Sequence, residues 1–305
     1  MSIVLITGAR GFTAQYLAKK LTSIGCSVYA TSLCLNEATN ISCYKGVLEC
    51  DVRNKDSILT VLNTVKPNYV VHLSALSFVG HSNPAEFYSV NTIGTENVLQ
   101  SIKKSDAPIK SILLASSANI YGSPDQAVLD ENTVPNPVNH YAISKLSMEH
   151  IARTYLPDLP IIISRPFNYI GFGQNENFVI PKIVKAFANK DNEIHLGNIN
   201  VSRDFSAVYD LVDAYCELLF SKEVFGETFN ICSGAATSLS SIIATLANIS
   251  NHEIEIKINP AFVRENEIKS LQGSNEKLKK YTNWHAKVSL EEILHEMYIK
   301  YKAIQ

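Results

Sequence analysis

Residues 2–21 run SIVLITGARGFTAQYLAKKL: a short apolar strand from Ser2 to Thr7, a turn bearing glycines, and an amphipathic helix over Thr13 to Ile24. Gly8, Gly11 and Ala14 keep the G-x-x-G-x-x-G/A spacing between the strand and the helix. Gly8 permits the sharp turn, Gly11 lets backbone approach a pyrophosphate, and Ala14 is small enough for close helix packing, so phosphates would sit at the helix N-terminus. An ordinary glycine-rich βα turn could carry the same letters. The strand in front and the amphipathic helix behind favour dinucleotide binding.

Outward from this turn the chain alternates short apolar runs with helical patterns, the signature of βαβ units and a parallel sheet. Strands are expected at Ser27 to Ser32, Tyr69 to Leu73, Ile109 to Ala115 and Ile161 to Ser164, and helices at Lys55 to Val65, Asn91 to Lys104 and His140 to Tyr155. Beyond Arg165 the alternation weakens into a Gly- and Asn-rich loop over Asn168 to Asn177, a helix near Ile180 to Asn189 and a turn-rich stretch around Gly197. Val208 to Phe220 resumes as a helix and Thr228 to Cys232 as a strand. The expectation is an α/β chain: a Rossmann-type doubly wound parallel sheet from residues 1–164 plus about 206–232, and a smaller α/β substrate-binding domain from about 165–205 plus 233–305.

The 305 residues suffice for one large or two modest domains, given about 150 per domain. Lys and Arg number 27 against 29 Asp and Glu, with 46% hydrophobic and 18% charged residues, which argues against disorder and against a nucleic-acid partner. No apolar run approaches the ~18 residues needed to span a bilayer, and no basic flank or small-residue cleavage site accompanies Ile3 to Ile6, so a cytoplasmic protein without a membrane partner is expected. The six cysteines (Cys26, Cys34, Cys43, Cys50, Cys216 and Cys232) form no C-x-x-C pair and are expected to be reduced and mostly buried, with no metal.

The end of the second strand normally carries an acid that holds the adenosine ribose. Here Thr31 and Ser32 stand in its place, and Glu37 lies further into the loop. Arg10, inside the glycine turn, offers a fork of donors to a 2′-phosphate, although a solvated loop charge is the plainer reading. The balance favours NADP(H) over NAD(H). Asp51 is placed to accept from the adenine amino group, or equally to cap the helix that follows.

Further on, SILLA runs into SSANIYG, and a later helix opens HYAISKLSMEH. Tyr141 and Lys145, four apart, share one helix face. A phenol donates protons poorly at neutral pH, and an adjacent ammonium is expected to lower its pKa and make Tyr141 a usable acid or base. Lys145 could also hold the nicotinamide ribose, and Ser117, at a strand end, could hydrogen-bond the reacting oxygen. A lone Y-x-x-x-K is usually a surface pair. Behind a dinucleotide turn and a Ser-rich strand end it reads as catalytic.

TGARGFTA, the Asp-Val pair at Asp51, VHLSA, VNTIGTENVL, SSANIYG, YAISK, RPFNYIG, NVSRDFSAVYDLVDAY and FNICSG together resemble the extended short-chain dehydrogenase/reductase family that works on nucleotide-sugars, over nearly the whole chain. Within it, RPFNYIGFGQ, FVIPKIVKA, VSRDF and NPAFVRENEI are most similar to the GDP-4-keto-6-deoxymannose reductases, which make GDP-rhamnose. The resemblance implies NADPH lying along Gly8, Arg10, Gly11, Phe12, Thr13, Ser32, Asp51, Val52, Leu73, Ser74, Ala75, Asn91, Tyr141 and Lys145. It implies Ser117, Tyr141 and Lys145 as catalytic residues, and substrate contacts from Ser77, Ser117, Asn168, Val179, Arg203, Arg264 and Glu267. The stretch at Arg264 departs from the family pattern, since Glu265 follows where a Pro is usual next to the arginine. For Arg203 and Arg264 a surface ion pair is the plainer alternative.

Dehydratases of the family carry an Asp-Glu pair directly after the catalytic Ser or Thr, whereas Ser117 is followed by Ala118 and Asn119, which argues against net dehydration. Fucose-type epimerase/reductases use a Cys there and a later His; Ala118 and Gln174 stand in those neighbourhoods. A 4-epimerase with retained NAD is the alternative activity, and a non-enzymatic NADP sensor on the same fold the alternative class. His72 reads as a satisfied core histidine, His81 as a cleft or loop residue, and His140 has no assigned role. The helices at Asn91 to Lys104 and His140 to Tyr155 often pair across a dimer axis in this family, so a homodimer is expected.

Overall fold

Val4, Leu5 and Ile6 are at most 2% exposed, as a strand covered on both faces must be. They form β1 (Ile3–Thr7), which leads through the glycine turn into α1 (Phe12–Ser23). The structure, a computed structural model, describes residues 1–35, 42–123, 126–262 and 269–304. After α1 come β2 (Ser27–Ser32), β3 (Gly46–Glu49), α2 (Lys55–Val65) and β4 (Tyr69–His72). A short α3 (Pro84–Phe87), a π-helical turn (Tyr88–Ile93) and α4 (Gly94–Lys104) then form one continuous helical run. It is followed by β5 (Ser111–Ala115), α5 (His140–Arg153) and β6 (Ile161–Pro166).

Next are β7 (Asn168–Ile170), α6 (Val179–Asn189), β8 (Glu193–Leu196), β9 (Ser202–Ala207), α7 (Val208–Phe220) and β10 (Thr228–Ile231). The chain closes with β11 (Ala236–Ser238), α8 (Leu239–Ser250), β12 (Glu255–Ile258), β13 (Ser270–Leu271), α9 (Glu276–Tyr281) and α10 (Leu290–Ala303).

Seven parallel strands form the main sheet in the order β10-β6-β5-β4-β1-β2-β3. Alternate side chains of β1 feed opposite faces: Val4 and Ile6 pack under α1 and α7 with Leu17, Ala18 and Tyr215, and Leu5 under α2, α4 and α5 with Leu62, Leu99 and Met148. The strand order reverses between β1 and β4, and the crevice at the carboxyl ends of those two strands is where doubly wound sheets bind ligands. The sheet is the Rossmann-type arrangement expected from the alternation.

A second apolar cluster joins Ile180, Ile183 and Phe187 of α6 to Ile242 and Leu246 of α8 and to Ile293 and Met297 of α10. Around it β9 pairs with β7, β11 and β13, and β8 pairs with β12.

The structure departs from the sequence expectations at particular places. Strand β3 is too short and too exposed to stand out by periodicity, since GVLE has no fully buried residue. Asn168 to Ile170, expected as loop, form a strand because β9 supplies the backbone partners. The helix expected from Asn91 begins earlier, at Pro84, and widens into the π turn before continuing. Helix α2 is capped by Asn54, whose side chain accepts from the N–H groups of Asp56 and Ser57, so Asp51 is not its cap. Cys50, Cys216 and Cys232 are buried, Cys26 and Cys43 half-buried and Cys34 exposed, all as free thiols. Among the described residues no helix is long and apolar enough to cross a membrane, and no cluster of His, Cys, Asp and Glu could hold a metal ion.

Candidate active site

The glycine turn is built for close approach. Gly8 has φ +83°, and a Cβ there would lie 3.2 Å from the backbone of Ser74 in the loop after β4. The Gly11 N–H donates to Gly8 O at 2.9 Å, and a Cβ on Gly11 would sit 3.1 Å from that same oxygen. Gly11 caps α1 without a side chain, and the first turn holds no acid. The amide groups of that turn and the positive end of the helix dipole are thus offered to an anion, which fits a pyrophosphate. Leu73 and Ser74 are pinned beside the turn by their N–H groups, both donating to Thr7 Oγ1 at 3.0 Å. Ala75 follows directly in the same loop. Thr13 Oγ1 meets the Tyr169 hydroxyl at 2.8 Å, and the Phe12 ring stacks near Tyr169, tying the turn to β7.

At the end of β2, Thr31 and Ser32 are buried, and Ser32 Oγ donates to Cys34 O at 2.8 Å. Arg10 reaches the same carbonyl from the glycine turn, Nη2 to Cys34 O at 3.0 Å, which sets its guanidinium beside the strand end where an acid would otherwise stand. Glu37 lies outside the described residues. Asp51 is clamped by Arg53, at 2.7 Å to Nη2, and the hydrogen bonds from Arg53 hold its carboxyl below the usual range. Val52 is buried, and its carbonyl accepts from Asn97 Nδ2 at 3.0 Å. Asn91 behaves as a clamp: Oδ1 accepts from Leu76 N at 2.8 Å, and Nδ2 donates to Leu76 O and to Ser144 Oγ, both at 3.0 Å.

Tyr141 and Lys145 lie in the first two turns of α5, whose N-terminus is capped by the Asn139 side chain accepting from Ala142 N at 2.9 Å. Ser117 follows β5 and caps a 3-10 turn over Ala118–Tyr121. Gly122 ends that turn at φ +66°, where a Cβ would run into Asn136 O. The three side chains are enclosed, at 5%, 8% and 4% exposure for Ser117, Tyr141 and Lys145. Lys145 Nζ donates to Ala115 O at 2.6 Å. Burial lowers the Lys145 pKa to about 8, with Glu149 pulling it back up.

The sequence expectation for Tyr141 fails in sign: its pKa is raised, to about 12. Burial penalises the phenolate, the hydrogen bond with Ser117 opposes this only in part, and the Lys145 ammonium is directed at a carbonyl instead. The site therefore holds Tyr141 protonated, as a proton donor. His72 is the satisfied core histidine expected, with Nδ1 at 2.8 Å from Thr7 Oγ1 and Nε2 at 3.1 Å from Thr95 Oγ1. His81 pairs with Glu86 at 2.9 Å, and His140 Nδ1 meets the Tyr88 hydroxyl at 2.9 Å.

The residues expected at the substrate are spread more widely. Ser77 is exposed in the loop after β4, and Val179 opens α6. Asn168 is exposed on β7 opposite Phe205, two residues from Arg203 on the paired strand β9. Arg203 is half-buried, and its Nη1 donates to Ser202 O at 2.8 Å. Arg264 and Glu267 lie outside the described residues. Sequence reasoning missed two neighbours of the centre. Asn119 was noted only as not being an acid, yet it bonds Ser117; Glu149, one turn past Lys145, is buried, a rare placement for a glutamate.

The family described as GDP-mannose 4,6 dehydratase matches residues 5–297. The chain belongs to this family. A GDP-6-deoxy-D-talose 4-dehydrogenase of Aggregatibacter actinomycetemcomitans is 41% identical over 298 residues, covering 97% of this chain and 96% of the relative. A GDP-6-deoxy-D-mannose reductase of Pseudomonas aeruginosa is 34% identical over 239 residues, 75% of this chain and 78% of the relative. The solved structure of RMD from Pseudomonas aeruginosa complexed with NADPH superposes with TM-score 0.85 at 27% identity, covering 100% of both chains. This member of the GDP-mannose 4,6 dehydratase family thus stands among nucleotide-sugar oxidoreductases and epimerases built as extended short-chain dehydrogenases/reductases.

Proposed function

We propose that the chain reduces the C4 ketone of GDP-4-keto-6-deoxymannose with NADPH. The observation that carries this reading is the enclosed set Ser117, Tyr141 and Lys145, with Ala118 and Asn119 following Ser117 where dehydration would need carboxylates. NADPH bound across β1 and β4 would supply the hydride. Tyr141, held protonated by burial, gives its proton to the oxygen of the reduced carbon. Ser117 hydrogen-bonds the Tyr141 phenol, and Lys145, its ammonium turned to the Ala115 carbonyl, would offer a hold on the ribose. Arg10 and the absence of an acid at Thr31 and Ser32 support the phosphorylated cofactor. The cofactor would lie along Gly8, Gly11 and Leu73 to Ala75, and the nucleotide-sugar against Asn168 and Arg203.

GDP-6-deoxy-talose and GDP-6-deoxymannose differ only in configuration at C4, so both named relatives work at the same ketone. The higher and longer likeness to the talose enzyme favours the talo product over the GDP-rhamnose that the sequence motifs suggested. The division into a Rossmann unit and a sugar-binding unit, a homodimer through α4 and α5, and a cytoplasmic site of action complete the proposal. Ile93, the last residue of the π turn that leads into α4, and Ile143 on α5 are exposed and support the dimer.

The test follows NADPH oxidation with GDP-4-keto-6-deoxymannose and identifies the product by NMR. Stoichiometric consumption and a C4 alcohol are expected, and no change with GDP-mannose alone. Sustained interconversion of UDP-glucose and UDP-galactose without added NADPH would move the chain to the 4-epimerases.

A further inference from the structure

Ser117 Oγ receives two hydrogen bonds from one residue, the backbone N–H of Asn119 at 3.2 Å and its side-chain Nδ2 at 3.2 Å. The backbone bond is what any residue capping a short helical turn would accept. The side-chain bond is additional, and a cap does not need it. A hydroxyl has two lone pairs and a single proton. With both lone pairs taken by Asn119, the proton is left to point away, and the Tyr141 phenol is a side chain with which Ser117 shares a hydrogen bond.

We propose that Asn119 is a positioning residue that fixes the Ser117 hydroxyl as a donor to the Tyr141 oxygen and so sets the direction of proton flow in the site. Its catalytic meaning rests on the reductase reading above. If Ser117 instead accepted from Tyr141, the phenolic proton would be tied to serine and withheld from the newly formed alkoxide. As a donor, Ser117 leaves that proton free, and once it has gone the same O–H stabilises the phenolate by a charge-assisted bond, stronger than the neutral one before it. The help is thus larger after transfer than before, which is what accelerates a step. Asp in this position, when ionised, offers only acceptors and would turn the serine proton away from Tyr141. The same position after the catalytic hydroxyl separates an amide that organises the serine from an acid that would act on the sugar.

The test reads ionisation at Tyr141 directly. A fluorinated tyrosine placed at residue 141 of the full chain brings the phenol into a workable pH range, and its 19F shift reports protonation with no sugar present. The result therefore stands apart from the substrate assigned above. Asn119→Ala is expected to raise the proton affinity of the phenol by about tenfold, the low end of what one hydrogen bond to a charged group is worth. Asn119→Asp, of the same shape and so the safer variant for folding, is expected to raise it further. Both are repeated in a Ser117→Ala background, where the Asn119→Ala effect should vanish and only the through-space charge of Asp should survive. An unchanged titration in both single variants, or an equal Asn119→Ala effect with and without Ser117, would overturn the proposal.

Discussion

Glu149 lies one helical turn past Lys145, 1% exposed, with its carboxylate closed by Arg165 at 2.7 Å from Nη2 and 2.9 Å from Nε. Ser116 Oγ donates to the same carboxylate at 2.5 Å, and Arg165 Nη1 reaches the Tyr121 hydroxyl at 2.9 Å, which in turn donates to Asn230 Oδ1 at 2.7 Å. One buried charge pair therefore joins α5, β6, the turn after Ser117 and β10. The negative end of that pair is also what draws the Lys145 pKa upward against burial.

Removing the carboxylate should separate these roles. Glu149→Gln leaves the Arg165 guanidinium buried and unneutralised, at a cost of about 3–5 kcal/mol. The Lys145 pKa should fall below its present value of about 8. Denaturant unfolding checks the first effect. The second appears in the pH profile of the proposed ketone reduction: since that reading needs Lys145 charged, the alkaline decline should begin at lower pH in the variant. An unmoved alkaline limb would mean that Glu149 is structural only.

Tyr141→Phe should cut turnover by about 10²-fold or more, the usual scale of general acid catalysis. Cofactor affinity should hardly change. Rapid-quench turnover together with NADPH fluorescence titration distinguishes this from a general loss of structure, and a change of less than severalfold would require another proton donor.

Arg10 stands beside the end of β2, at Cys34 O. Arg10→Ala should weaken NADPH binding by about tenfold or more while leaving NADH nearly unaffected, since a surface-accessible guanidinium on phosphate is a charge-assisted pair. Calorimetric titration with both cofactors is the measurement. Equal affinities in the unaltered protein would remove the basis for NADPH.

His72 links folding to acid. Burial pushes its pKa from the ordinary 6.5 down to about 3. The unfolded chain therefore takes up the proton first, and stability present above pH 6.5 is lost as the pH falls toward 3. Between about pH 7.5 and 4.5 this one residue should account for roughly 2–3 kcal/mol of lost stability. A His72→Gln variant, less stable overall, should lose that part of the slope in urea midpoints measured across the range.

The glycine turn, the parallel sheet and the pair Tyr141 and Lys145 were legible because each leaves a local mark: backbone that only small residues permit, apolar runs of strand length, and side chains four apart on a helix. Strand β7 left no such mark. Its partner β9 lies more than thirty residues away, and pairing over that distance is a property of the packed molecule. The sign of the Tyr141 shift was misread for a related reason. Sequence places an ammonium near a phenol, but it records neither how dry the site is nor that Lys145 is turned toward Ala115. The contact of Asn119 with Ser117 was equally hidden, since an amide two residues after a serine has no pattern that separates a plain turn from a second, side-chain bond to the hydroxyl.

The π turn at Tyr88–Ile93 behaves as a gear with one extra tooth. A wide turn of this kind amounts to one residue inserted into an α-helix, and each residue turns the helix by about 100°. Taking one residue out of the π turn itself would return it to regular α geometry with its flanks facing much as before, whereas taking one out of the first turn of α4, between Gly94 and Asn97, would swing everything beyond the cut by that angle relative to what precedes it. Asn91 could then no longer reach both Leu76 and Ser144 while Val98 and Leu99 stayed against the sheet. Shortening the first turn of α4 by a single codon should therefore be far more damaging than replacing any one of these side chains, and the length of this helix is itself under structural constraint.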